Sequence, residues 1–237
     1  MQNYIELHRL AAIRLRLLDH PRIALRLALA HLIAGSILWQ VKPDPQRALK
    51  PEIGASVAAS PATAAFEDRR KELLILAGLD GERGELVRSN GDDYAVATLF
   101  AHFLKLSEDE MLRILALAMA ETLTCGSAAS EAAGVVTGAK LEGWTPDVVF
   151  FDLLSGKDVI HAMLADVASS TVADGNKGET GKVQKGIIRD YLEGTNGRPK
   201  KENWVPPYLQ FPAKGYTERG GIGVVDRWQS VAEFFAS

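Results

Sequence analysis

Apolar positions recur at helical spacing from the start of the chain. Tyr4, Leu7, Ala11, Leu15 and Leu18 share one face, with Arg9 and Arg16 on another. Asp19-His20-Pro21 restarts the chain, with an acidic cap and a proline in the first turn. From Ile23 to Ile33 almost every residue is apolar except Arg26 and His31, the pattern of a buried helix. Trp39 to Pro51 carries three prolines and reads as a linker with at most one helical turn around Gln46. Ser60-Pro61 opens a helix through Phe66, Leu73, Leu74 and Leu76, closed near Gly78.

Residues 80–91 read as a polar, Gly-rich loop, and Asp92-Asp93 begins a helix carrying Tyr94, Leu99, Phe103 and Leu104. Ser107-Glu108-Asp109-Glu110 is a capping box, and Met111 to Leu123 behind it is the expected central core helix. Small residues from Ala128 to Gly138 form a short, closely packed helix. Thr145-Pro146-Asp147 starts another helix carrying Val148, Phe151 and Leu154. Asp158 to Val167 and Lys182 to Glu193 follow, the latter burying Val183, Ile187, Ile188, Tyr191 and Leu192, and a final short helix covers Val224 to Phe235. Strand alternation is scarce. The expected fold is an all-α helical bundle, residues 1–176, with a basic helix and a Pro/aromatic tail, residues 177–237, packed on the same domain.

Charge divides this pattern. The net −3 of the chain hides eight Lys/Arg against three Asp/Glu in residues 1–50, nine against twenty in residues 51–176, and ten against six in residues 177–227. Basic ends around an acidic middle suit self-association or a polyanion held at the ends, and equally suit solvated faces. The single Cys125 excludes an internal disulfide framework and a Cys-based zinc site, and fits a reducing cytosol. No signal peptide is evident, and the longest apolar run, Ile114 to Ala120, is too short to cross a bilayer, so a cytoplasmic protein is expected.

Candidate catalytic chemistry is thin. His8, His20, His31, His102 and His161 include no pair at metal-ligand helical spacing. Cys125 sits at a helix end, an environment that raises a thiol pKa. Gly220-Gly221-Ile222-Gly223 lacks the rest of a dinucleotide fingerprint, and neither a Walker pattern nor a Gly-x-Ser-x-Gly elbow occurs. Asp92/Asp93 and Asp147/Asp152 have a sufficient structural cause in the first turns of helices. The chain is therefore expected to be non-enzymatic, without cofactor or metal.

The basic stripe is the feature with chemical content. Lys182, Lys185 and Arg189 share a helix face, and Arg198, Lys200 and Lys201 follow on a Gly/Pro turn. Clustered cations of this kind suit phosphate contact, with Glu179 and Glu193 placed to neutralise part of them. Trp204, Tyr208 and Phe211 are placed to stack on bases or to anchor the tail on the bundle.

Several segments are similar to a known family. Leu-Ala-His-Leu-Ile-Ala-Gly-Ser (29–36), Met-Ala-Glu-Thr-Leu (119–123), Trp-Thr-Pro-Asp-Val-Val-Phe-Phe-Asp-Leu-Leu (144–154) and Asn-Gly-Arg-Pro-Lys (196–200) resemble the C-terminal region of plasmid-type ParB/RepB-class partition proteins. Val172-Ala173-Asp174 and Gln184-Lys185-Gly186-Ile187-Ile188 resemble the same region. The family's nucleotide-binding domain carries a Gly-Glu-Arg-Arg box, and this chain has only Gly81-Glu82-Arg83-Gly84, so CTP binding and hydrolysis are not carried over. The resemblance implies a C-terminal fragment or stand-alone version of that module, serving plasmid or chromosome segregation. Its implied roles are self-association and nonspecific DNA contact, with DNA, other ParB segments and a partition ATPase as partners. Two other readings stay open: a protein-interaction module without DNA binding, and a small-molecule enzyme using the acidic middle.

Overall fold

A computed structural model of the chain describes residues 1–24, 42–86, 98–99, 101–215 and 227–236. The expected helix at 23–33, His31, Trp39, the Asp92-Asp93 helix start, Tyr94, the Gly220–Gly223 run and residues 224–226 lie wholly or largely outside those residues, as do residues 29–36 of the family resemblance. Nine α-helices and two 3-10 turns have their bounds among the described residues, helical residues also stand at 21–24, 98–99 and 101–103, and no strand occurs among the described residues, so the fold is all-α.

In chain order the helices are α1 Gln2–Leu18, α2 Pro51–Ala58, α3 Pro61–Leu76, α4 Glu108–Glu121, α5 Ala128–Thr137, α6 Val148–Leu153, α7 Lys157–Val167, α8 Ser170–Gly175 and α9 Gly181–Glu193. Their starts follow from local chemistry. The Ser60 and Ser127 hydroxyls accept from the Thr63 and Ser130 amides at 3.2 and 3.1 Å, and Asp147 accepts from the Phe150 amide at 2.8 Å. The capping box closes in both directions: the Ser107 amide donates to the Glu110 carboxylate at 2.7 Å, and the Glu110 amide to the Ser107 hydroxyl at 3.4 Å.

Two helices were not expected. α2 begins on Pro51, read in the sequence as the end of a linker, but a proline is equally at home in a first helical turn. α8 has six residues, too few to show a periodicity, and is marked only by its Ser169 cap. Residues 42–50 hold no helical turn, within the at most one expected around Gln46, which has φ 49° and whose amide donates to Asp44 at 2.7 Å. At the C-terminal end a 3-10 turn spans Ala232–Phe235.

The centre of the bundle is α1, not α4. α1 packs against α2, α3, α4 and α5, and its buried residues run round most of its circumference, including His8 and Arg9. Leu10, Ile13 and Leu17 meet Phe66, Leu74 and Leu117 in one core cluster. Tyr4, Ile5 and Leu7 belong to a second, with Phe150, Ile160, Leu164, Ile188 and Tyr208. The basic helix and tail enter this second cluster through Ile187, Ile188, Trp204, Tyr208 and Leu209, so the bundle and tail share a core.

Buried charges are paired. Arg9 and Glu131 form an ion pair with both side chains more than nine-tenths covered, and Arg9 also lies over the Phe211 ring, 4.6 Å from its centroid. Glu121 accepts from Arg70 at 3.0 Å and from the Leu86 amide at 2.9 Å. The Arg9 side chain reads as a polar face in sequence and is core in the fold, because its partner arrives from α5.

Candidate binding cleft

Gly138 closes α5 in the left-handed conformation, φ 62°. The chain then runs as an irregular segment to Asp147, pinned by the amide of Ala139 on the Gly134 carbonyl at 2.9 Å and by Trp144 on Leu141 at 3.2 Å. Trp144 is buried, edge-on to Phe150 with centroids 5.5 Å apart. This segment forms one wall of a cleft.

The other wall grows from the end of α9. Gly194, φ 72°, ends that helix, and the Lys201 amide donates to the Tyr191 carbonyl at 2.7 Å, folding residues 200–205 back along it. The Trp204 indole donates to Asp166 at 2.7 Å, and Tyr208 stacks on Phe150 at 6.3 Å. Trp204 and Tyr208 are 7% and 1% exposed, so they anchor the tail rather than offer free faces for base stacking. Between the walls lies a cleft of about 980 Å³, with Leu141, Phe151, Leu209 and Phe211 among its apolar lining, within the size range of ligand sites.

The six cations of the stripe separate in space. Arg189, Lys200 and Lys201 line the cleft, joined by Lys140 from the opposite wall. Lys140 was not singled out in the sequence, since nothing near it is basic. Lys182 is exposed on α9 and meets no carboxylate among the described residues. The Lys185 ammonium donates to the Phe151 carbonyl at 2.6 Å, and burial lowers its pKa. Arg198 pairs with Asp190 at 3.4 Å and Lys200 with Glu202 at 3.0 Å. Glu142, Glu193 and Glu202 also line the cleft, so its charge is mixed. Two details of α9 differ from expectation: Val183 is exposed, and Gln184 is fully buried, donating to the Asn176 carbonyl at 2.8 Å.

Beside Trp144 is a polar network that sequence reasoning missed. His8 Nε2 is 3.1 Å from the Ser56 hydroxyl, the Tyr4 hydroxyl donates to Asp147 at 3.3 Å, and the Tyr4 and His8 rings are 4.2 Å apart. The residue types match a hydrolytic triad, but Asp147 is joined to Tyr4 and to the Phe150 amide rather than to His8. Neither His8 nor Ser56 lines the cleft. Burial pushes the His8 pKa down to about 4. The network joins α1 to α2 and to the start of α6 by satisfying buried polar groups.

The remaining candidates have structural surroundings. His20 and His102 are hydrogen-bonded to the carbonyls of Arg16 and Leu76, and His161 lies 3.6 Å from Asp174. No group of three potential metal ligands occurs among the described residues. The Cys125 pKa rises to about 12, through burial first and the Glu6 carboxylate second, rather than through a helix end. Among the described residues no helix is long and apolar enough to cross a membrane. No protein-family model, no curated protein and no solved structure matches the chain.

Proposed function

We propose that this chain is a non-enzymatic, DNA-associated module of a ParB-like partition protein, touching phosphates through Lys182, Lys200 and Lys201, with Lys140 as a fourth contact. The observation that carries this is the meeting of exposed lysines from distant segments, residues 140 and 200–201, around one cleft. The Lys200–Glu202 pair is more than half exposed on both sides, and such pairs hold so weakly that a phosphate competes for the lysine. Lys185 and Arg198 contribute less, because a backbone carbonyl and Asp190 already engage them.

The test is binding of a duplex of mixed sequence as a function of salt. Phosphate contact by these lysines gives a linear fall of log affinity with log salt, and each lysine removed lowers the slope by about 1. Undetectable binding at low salt, or binding unchanged by reversing Lys182, Lys200 and Lys201 to Glu, rejects the proposal. Self-association belongs to the same reading. Among the described residues the exposed large apolar side chains stand mostly one to an element, with Phe234 and Phe235 an adjacent pair, so light scattering rather than a visible apolar helix face is its test.

A further inference from the structure

We infer that the cleft is a docking site for an extended peptide, with an acidic side chain of that peptide held by Arg189. The Arg189 guanidinium lies over the Phe151 ring, 4.4 Å from its centroid. The ring holds the guanidinium against the cleft wall and leaves its N–H donors for a ligand. Among the described residues no carboxylate or carbonyl occupies those donors. A planar fork of donors in a half-buried wall fits one carboxylate better than a lysine would.

The rest of the cleft suits a peptide. Glu142, Glu193 and Glu202 stand on the same walls as Lys140, Lys200 and Lys201, so the charge inside is mixed rather than uniformly basic. A peptide brings one or two carboxylates and can place apolar side chains against Leu141 and Leu209. The walls, residues 138–146 and 200–211, are largely irregular, and no backbone hydrogen bond joins one to the other among the described residues. A chain laid between them can pair with main-chain groups on either side, the mode by which extended peptides gain affinity without helical structure.

The experiment uses the full chain, immobilised and panned with a displayed library of random dodecapeptides, followed by titration of the enriched sequences through the fluorescence of Trp144 and Trp204. Enriched peptides are expected to share an Asp or Glu flanked by apolar residues. Their affinity should fall about tenfold or more in Arg189→Glu, and when that acidic residue is changed to its amide. Arg189→Lys should lose less. Gln210→Trp, a cleft-wall substitution at an exposed position, should block the peptide, whereas Lys182→Glu, outside the cleft, should weaken duplex binding and leave peptide affinity unchanged, which separates this inference from the DNA proposal. The inference is overturned if no peptide is enriched over bare matrix, if enriched peptides are basic, or if Arg189→Glu and Gln210→Trp bind them like the parent.

Discussion

Arg189 lies 4.4 Å from the centroid of the Phe151 ring, and this contact ties the basic helix to the middle of the bundle. Phe151 is 3% exposed, and its carbonyl also takes the Lys185 ammonium. Two cations of one helix face therefore close over a single aromatic residue of α6. The face is in part an attachment surface, which separates its members by what their loss should do.

Lys185→Glu should lower the urea midpoint by an amount equivalent to about 1 kcal/mol, because a charged hydrogen bond is lost and its acceptor is left without that donor. Lys182→Glu, at an exposed site, should leave the midpoint within about 0.5 kcal/mol of the parent. Equal effects in paired urea titrations would show that the two lysines do not differ in the way described.

The Arg9–Glu131 pair should be costly to break from one side. Glu131→Ala leaves a buried guanidinium without its carboxylate and should destabilise by about 3–5 kcal/mol. Arg9→Met combined with Glu131→Leu should recover much of that loss. Recovery stays incomplete because Glu131 also accepts from the Ala213 amide at 3.3 Å. Urea unfolding of Arg9→Met, Glu131→Leu and the double variant measures the coupling.

Gly134 permits the approach of the tail to α5. A β-carbon there would collide with the Phe211 ring. Gly134→Ala should cost about 1–3 kcal/mol through overpacking, and should speed proteolytic cleavage in residues 205–215. Phe211→Leu in the same chain should relieve part of the cost. Unfolding midpoints and the cleavage pattern together check this.

His8 should make stability depend on pH. Burial depresses its pKa in the folded chain to about 4 from an ordinary 6.5, so the unfolded chain binds a proton first as pH falls. Its contribution is fully present above pH ~6.5, is lost progressively down to about pH 4, and is level below that. The loss is on the order of 3 kcal/mol. Asp147, which favours the charged form, opposes the shift without cancelling it. His8→Asn should flatten this limb of the stability profile, measured by urea unfolding at a series of pH values.

Much of the helical framework was legible in the residues. Ser60, Ser107 and Asp147 announce helix starts because a cap and its amide lie within three residues of each other. The anchoring of Trp204 and Tyr208 was legible as one of two readings, since large aromatics beside prolines seek cover. The standing of α1 as the central helix was not, because Arg9 and His8 look like surface residues until Glu131 and Ser56 arrive from elsewhere. Nor was the division of the basic stripe. Helical spacing puts Lys182, Lys185 and Arg189 on one face, but only the position of Phe151 makes one of them exposed, one bound to a carbonyl and one a cleft wall.

Periodicity and caps are short-range: the atoms that satisfy them lie within a turn or two, so the order of residues decided the helices and the all-α class. The cleft depends on how the segment after α5 and the segment after α9 come to face each other. That follows from the packing of both around the Phe150–Tyr208 core. Contacts between residues so far apart along the chain have no local pattern to reveal them, and the tertiary structure alone placed Lys140 opposite Arg189.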